Sequence, residues 1–111
     1  MTLDELRGLG VNVDEGLGRC MNNDGFYLKM IGKFLSDEKI DALGEALKEG
    51  DLDQAFEIAH ALKGVTSNLA LSPLEAKLSE ITDQLRNRTQ MDYSDIYESI
   101  VNNRDKLAKL L

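Results

Sequence analysis

The segment that decides the fold is DLDQAFEIAHALKGVTSNLALSPLE, residues 51–75. Its apolar residues recur three and four positions apart, the spacing that places side chains on one face of an α-helix. Asp51 is a typical N-cap for a first helix, and Ser72 with Pro73 is typical of a second helix start, with serine as N-cap and proline at the first helical position. The segment therefore predicts two helices joined by a short turn near residues 68–71.

The same helical spacing continues on both sides of this segment. Upstream, we expect Asp24 to cap a helix whose apolar stripe extends to Leu47, with a break near residues 36 and 37. Downstream, a polar break at residues 87–90 separates the second helix from a last helix that Asp92 caps. Each of these longer helices carries an apolar stripe and is joined to the next by a short turn, which is typical of an antiparallel up-down bundle.

The N-terminal part of the chain predicts shorter elements. Thr2 opens a capping-box pattern for a short helix, which the stretch from Gly8 to Gly10 ends. A second short helix is expected from Asp14 to Met21, although its glycines each lower helix stability by about 1 kcal/mol relative to alanine. The predicted fold is all-α: an antiparallel up-down four-helix bundle with one or two short additional N-terminal helices, in a single domain over residues 1–111.

Length and composition restrict the functions that the chain can have. With 111 residues, 42% hydrophobic and 30% charged, it has the size of one folded domain. The 13 basic and 20 acidic side chains give a net charge of -7, which would repel nucleic acid and anionic membranes. Cys20 is the only cysteine and His60 the only histidine, which excludes an intramolecular disulfide and a set of zinc ligands. No segment resembles a signal peptide or a membrane span, so we expect a cytoplasmic protein.

His60 lies on the polar side of its predicted helix. At about 100° per residue, the apolar positions point away from His60, which shares its face with Asp53, Glu57, Gly64 and Ser67. This placement argues against a buried core histidine and leaves two interpretations, an incidental surface residue or a functional one. A solvent-exposed imidazole is mostly uncharged near neutral pH, so that a ring nitrogen is free to act as a nucleophile.

Two neighbours of His60 suit a site that accepts phosphate. Gly64 lies one turn after His60, where glycine lowers helix stability by roughly 0.5–1 kcal/mol relative to alanine. Its missing side chain leaves room for another protein to approach the imidazole, although close packing against a neighbouring helix is an equally good explanation. Lys63 can bring its ammonium toward a group on the imidazole, although a surface lysine is more often only solvated. Together the three residues predict a phosphate-accepting spot on an open helix face.

A resemblance to a known family rests on residues 59–64, Ala-His-Ala-Leu-Lys-Gly, on Asn68 with Leu69, and on the helix start at Pro73. They resemble the signature of histidine-containing phosphotransfer (HPt) domains, the four-helix bundles of multistep phosphorelays. In that family the matching histidine accepts a phosphoryl group from the aspartyl phosphate of a receiver domain and donates it to another receiver's aspartate. Ala70 departs from the pattern, because many members have glycine after the Asn-Leu pair, and this affects the local turn more than the chemistry.

The resemblance implies a phosphorelay carrier in two-component signal transduction, with His60 as phosphoacceptor. Lys63 would stabilise the added charge, and Gly64 would leave room for the receiver. Family members often position the imidazole with a polar side chain of the following helix, for which Gln84 is one candidate and Glu80 another. The partners implied are response-regulator receiver domains and a hybrid histidine kinase. The receivers would bring the Mg²⁺, so that this chain binds no cofactor or metal itself.

Alternative functions remain open on the sequence. One is a passive helical protein-interaction module, in which His60 is incidental. Another is the phosphoacceptor domain of a chemotaxis-type histidine kinase, which would need an attached ATP-binding domain. The dimerising domain of other histidine kinases fits less well, because Ala61 stands where those proteins usually have an acidic residue. The chain has no Gly-rich phosphate loop or kinase motif, so we expect no kinase activity. A complete bundle buries its own apolar seams, and we expect a monomer.

Overall fold

A computed structural model describes all 111 residues of the chain, which form seven helices and no strand. The prediction of an all-α protein is confirmed. No helix combines the length and the apolar composition that crossing a membrane requires. In chain order the helices are α1 (Leu3–Gly8), α2 (Val13–Arg19), α3 (Asp24–Leu35), α4 (Lys39–Lys48), α5 (Leu52–Asn68), α6 (Ser72–Arg86) and α7 (Ser94–Ala108).

The five longer helices form the bundle. Helices α4, α5, α6 and α7 pack against one another in chain order, and α7 also contacts α3, which closes the ring. The chain breaks between α3 and α4 near Ser36 and Asp37, as predicted, so these two helices together make one side of a four-helix bundle. At the break the Asp37 carboxylate accepts a hydrogen bond from the Lys39 N–H at 2.9 Å, which favours the start of α4. The short α1 and α2 are the additional N-terminal helices.

Helix α5 packs against both α4 and α6. Its buried side consists of Ala55, Ala59, Leu62 and Thr66, and the small alanines let the neighbouring helices approach closely. The Thr66 hydroxyl donates to the Leu62 carbonyl at 3.0 Å, so that the buried polar side chain is satisfied. The opposite side of α5 faces solvent, and it carries His60. The periodicity of the sequence therefore predicted the orientation of α5 correctly.

Two predicted boundaries in the N-terminal part are wrong by one or two residues. The N-cap of α3 is Asn23 and not Asp24, because the Asn23 amide oxygen accepts the hydrogen bond from the backbone N–H three residues on, at 3.0 Å. Helix α2 covers Val13–Arg19 instead of residues 14–21. Met21 has a left-handed φ of 56°, which ends the helical conformation before it.

Ser72 and Asp92, predicted to be N-caps, also lie one position from the observed caps. Ser72 is the first residue of α6, and its hydroxyl donates to the Ala70 carbonyl at 3.2 Å instead of accepting from the helix. Tyr93 is the N-cap of α7, while the Asp92 carboxylate accepts from the Ser94 N–H at 2.9 Å. Hydrogen bonds from Ser94 lower the pKa of Asp92. Asp92 thus still supplies an acceptor where α7 begins.

The turn between α5 and α6 is a Schellman motif with Ala70 in the left-handed position, at φ +55°. The Leu71 N–H donates to the Thr66 carbonyl at 3.0 Å, and the Ala70 N–H donates to the Ser67 carbonyl at 3.1 Å. Glycine adopts this conformation without steric cost, whereas alanine loses about 1–2 kcal/mol. The departure of Ala70 from the HPt pattern therefore leaves the shape of the turn intact.

Residues between Asn12 and Tyr27 contact the C-terminal end of α5. Three donors from residues 12–27 reach backbone carbonyls there: Arg19 to Ser67, the Tyr27 hydroxyl to Leu69 at 2.7 Å, and the Asn12 N–H to Ala70 at 3.1 Å. The Leu69 carbonyl has the Tyr27 hydroxyl as its only donor, whereas the Ser67 and Ala70 carbonyls also accept backbone N–H groups of the turn. Tyr27 is fully buried, and burial raises the pKa of its hydroxyl to about 12. Residues of α2 and α3, with the N-cap of α2, therefore hold the end of the histidine-bearing helix.

Candidate functional site

The site is built around His60, in the middle of α5. Its side chain is exposed, as the sequence predicts, while Ala59 beside it is fully buried. The imidazole makes no hydrogen bond and no ion pair within the protein. Both ring nitrogens are therefore free of protein partners, and nothing in the chain blocks them from reacting with a partner molecule.

The imidazole rests on an aromatic ring. Phe56 lies one turn before His60 on α5, and the two rings are nearly parallel, with 4° between their planes and 5.7 Å between their centroids. A parallel, offset arrangement at this distance is one of the favourable geometries for aromatic pairs. Phe56 is half-buried, so part of its ring faces solvent. The sequence analysis did not predict this stack.

Arg88 covers the Phe56 ring from the turn after α6. Its guanidinium carbon lies 4.6 Å from the ring centroid, and that of Arg86 lies 5.9 Å away. The Arg88 Nε donates to Asp53 Oδ1 at 2.6 Å, which ties the end of α6 to the first turn of α5. Arg88 has a left-handed φ of 52° in a Schellman turn, and this backbone conformation directs the chain back toward α5.

Lys63 and Gly64 complete the face next to His60. Lys63 is half-buried, and its ammonium forms no ion pair with any carboxylate of the chain. A side chain added at Gly64 would meet no atom of this protein within 4 Å. Close packing against a neighbouring helix is therefore not the reason for this glycine, and the alternative explanation from the sequence is excluded.

The candidate positioning residues on α6 form no hydrogen bond with the imidazole. The side chains of Gln84 and Glu80 are exposed, and neither forms a hydrogen bond with His60. Glu80 instead lies 3.9 Å from the Lys77 ammonium. The positioning role of Gln84 stays a prediction, and the group that the structure places against the imidazole is the Phe56 ring, which Arg88 covers.

Sequence reasoning missed Arg88 because nothing local identifies it. Arg88 follows α6 by two residues and is 32 positions from Phe56, so only the packing of α6 on α5 brings it over that ring. Phe56 had a local signal, since residues four apart on a helix are neighbours. The direction of its ring depended on contacts with the end of α6 that the sequence does not reveal.

The chain carries no group of three or more His, Cys, Asp or Glu side chains arranged to hold a metal ion. A family model described as Hpt domain matches residues 31–110. The chain belongs to the HPt domain family. The match covers the end of α3 and all of α4, α5, α6 and α7, and it therefore includes the face that carries His60. No curated protein and no solved structure matches the chain significantly. Family membership places this HPt domain in histidine phosphotransfer of two-component signalling.

Proposed function

We propose that this HPt domain is a phosphorelay carrier. His60 accepts a phosphoryl group from the aspartyl phosphate of one receiver domain and passes it to the aspartate of another. In the first step a ring nitrogen supplies the lone pair for the new P–N bond, and the aspartate carboxylate leaves with the electrons of the broken P–O bond. The observation that carries the proposal is the unpartnered, exposed imidazole on an open face of α5, beside a glycine with empty space above it.

Lys63 and Gly64 have separate roles in this proposal. The Lys63 ammonium has no carboxylate partner, so its charge is available to a phosphoryl group on a residue one turn away. Gly64 has no side chain to keep the receiver from the imidazole. Gln84 remains a candidate for orienting the imidazole once a receiver has docked, because its exposed amide can still change position.

The receiver supplies the larger part of the catalysis in this proposal. Transfer between aspartate and histidine needs in-line positioning and neutralisation of the phosphoryl charge. We propose that the receiver brings the Mg²⁺, and that this chain contributes the nucleophile and one cation, without a kinase activity of its own. Receiver domains, including that of a hybrid histidine kinase, are the partners we propose, and a cytoplasmic location follows from those partners.

We also propose that residues 1–111 act as one monomeric domain. The hydrogen bonds of Arg19 and of the Asn12 N–H with the end of α5 support this assignment, because they join α2 and its N-cap to the helix that bears His60.

The test is transfer from a panel of phosphorylated receiver domains with Mg²⁺ to the wild-type chain and to His60→Gln. The phosphorylated product is followed by mass at neutral to alkaline pH, at which a phosphoramidate survives. We expect an acid-labile label on the wild type and none on His60→Gln. The variant should keep the circular dichroism spectrum and thermal midpoint of the wild type, because the His60 side chain is exposed and forms no hydrogen bond.

The competing function is a passive interaction module. It predicts that receivers transfer no label to the wild type, or that His60→Gln is labelled to the same extent. Either result would overturn the carrier function, provided that the receivers keep their own label during the assay and that the chain is folded.

A further inference from the structure

A contact with the protein must set the orientation of the His60 imidazole. An exposed side chain on a helix surface ordinarily populates more than one rotamer. His60 has no hydrogen bond to the protein that would select one of them, neither with Gln84 nor with Glu80. The contact that restricts the ring in this structure is the stack on Phe56, with centroids 5.7 Å apart.

Arg88 restricts the Phe56 ring in turn. The Arg88 guanidinium lies over it, with its carbon 4.6 Å from the ring centroid. Three hydrogen bonds hold the guanidinium: Nε to Asp53 at 2.6 Å, and one terminal nitrogen to the carbonyls of Leu85 at 2.9 Å and Arg86 at 3.2 Å. A cation held over an aromatic face is attracted by the ring. Asp53, Arg88, Phe56 and His60 therefore form one connected row of contacts, which we call the stacked row.

We infer that Phe56 is a positioning residue, which holds the His60 imidazole in the orientation that phosphoryl transfer requires. The inference rests on the proposed function of His60. As the P–O bond of the aspartyl phosphate breaks, a ring nitrogen must lie in line with it for the P–N bond to form, and small displacements of the nucleophile slow such a step strongly. The stacked row lets the chain orient its nucleophile before the receiver arrives, without a hydrogen bond to either ring nitrogen.

The experiment compares Phe56→Leu, which removes the ring at similar volume, with Phe56→Tyr, which keeps it. Single-turnover transfer from one phosphorylated receiver with Mg²⁺ is measured at several receiver concentrations, so that the rate at saturation is separated from receiver affinity. We expect Phe56→Leu to lower the saturated rate by about threefold to tenfold, with less change in affinity, and Phe56→Tyr to restore the rate. Phe26→Leu is the control, because Phe26 is a partly accessible phenylalanine on α3 that does not stack on His60.

A second measurement reports the stack without any transfer reaction. The NMR resonances of the His60 ring protons should be shifted upfield in the wild type and in Phe56→Tyr, because an aromatic ring shields protons above its face. They should return to ordinary positions in Phe56→Leu and stay unchanged in Phe26→Leu. Arg88→Met, which removes the guanidinium from the Phe56 ring, should give a smaller loss of the shift and a smaller decrease of the saturated rate.

Three outcomes would overturn the inference. The first is a saturated rate for Phe56→Leu equal to that of the wild type. The second is a set of His60 ring shifts that does not change when the Phe56 ring is removed. The third is an affinity loss alone, at an unchanged saturated rate, which would make Phe56 part of the docking surface. A wild type that accepts no phosphoryl group from any receiver would instead reject the proposed function, whatever the NMR measurement shows about the stack.

Discussion

Glycine serves two opposite purposes in this molecule. At Gly16 in α2 and Gly44 in α4, an added Cβ would lie 2.5 Å from ring carbons of Tyr27 and Tyr97 respectively. At Gly64 in α5 an added Cβ would meet nothing within 4 Å. The first two glycines make room for a tyrosine of the same chain, and the third leaves its space empty.

The three positions differ in what compensates for the lower helix stability that glycine causes. Each mid-helix glycine lowers stability by roughly 0.5–1 kcal/mol relative to alanine. At Gly16 and Gly44 the tyrosine ring packs into the gap, and its hydroxyl donates to a backbone carbonyl: that of Leu69 for Tyr27 and that of Ile40 for Tyr97. At Gly64 no contact within the chain offsets the loss. A surface at which another protein docks would leave this space open.

The largest effect is expected from Gly16→Ala. Tyr27 is fully buried and its hydroxyl is bonded to the Leu69 carbonyl at 2.7 Å, so the ring cannot move away from an added methyl group. Helix α2 must shift instead, and we expect a loss of about 3 kcal/mol in the free energy of unfolding, measured by urea denaturation. A variant as stable as the wild type would show that α2 packs more loosely on Tyr27 than this structure has it.

Gly44→Ala should have the same sign and a smaller size. Tyr97 is only half-buried, so its ring can rotate toward solvent and give up the 2.9 Å hydrogen bond with the Ile40 carbonyl. We expect a loss of about 1–2 kcal/mol in the free energy of unfolding. The double variant with Tyr97→Leu tests the cause, because the alanine should then cost nothing further. Additive losses in this double-mutant cycle would contradict the explanation.

Tyr27→Phe separates the hydroxyl from the ring in the Gly16 contact. It leaves the Leu69 carbonyl without that donor and should lower the free energy of unfolding by about 1 kcal/mol near pH 8. Burial raises the pKa of Tyr27 to about 12, above the ordinary value of 10.0, so the neutral hydroxyl stabilises the fold below pH 10. That contribution is lost as the pH rises toward 12. Since one pKa unit corresponds to about 1.4 kcal/mol, this loss exceeds the advantage of the hydroxyl at pH 8. The stability difference between the two proteins should therefore narrow above pH 10 and then reverse in favour of Tyr27→Phe, and a constant difference would exclude this titration.

Gly64→Ala has the smallest expected effect on stability and the opposite sign. The added methyl group has open space, so we expect the free energy of unfolding to rise by about 0.5–1 kcal/mol. Transfer from a phosphorylated receiver should fall in the same variant, and fall further in Gly64→Gln. A variant that is more stable and equally fast in transfer would remove the main reason for calling this face a docking surface.

The fold was predictable because the apolar residues recur at the period of an α-helix. The spacing of apolar residues predicted the long helices and the exposure of His60. Gly10 and Gly50, which were expected to end helices, occupy left-handed positions shortly after α1 and α4. The errors lie at the caps. Asn23 and Asp24 are both good N-caps, and the choice between them depends on which carbonyl and N–H the tertiary packing leaves free.

The site was predictable only where its residues lie close together in the sequence. His60, Lys63 and Gly64 lie within five residues on one helix, so their common face follows from the helical repeat. Arg88 is different, because it reaches Phe56 through a left-handed turn at a residue that is neither glycine nor asparagine. The sequence around that turn gives no signal for such a conformation, and only the packing of α6 against α5 reveals it.

The hydrogen bonds at the C-terminal end of α5 come in part from residues that lie outside the segment matched by the family model. The family model begins at residue 31, while Arg19 and Tyr27 supply donors to carbonyls at the end of the histidine-bearing helix. A chain cut to the matched segment would lose these donors, and α5 would fray from its last turn toward His60. Amide hydrogen exchange in residues 64–70 should then become faster, while exchange at the core of α6 changes less. The segment defined by sequence similarity thus leaves out side chains that are hydrogen-bonded to the last turn of the helix that bears His60.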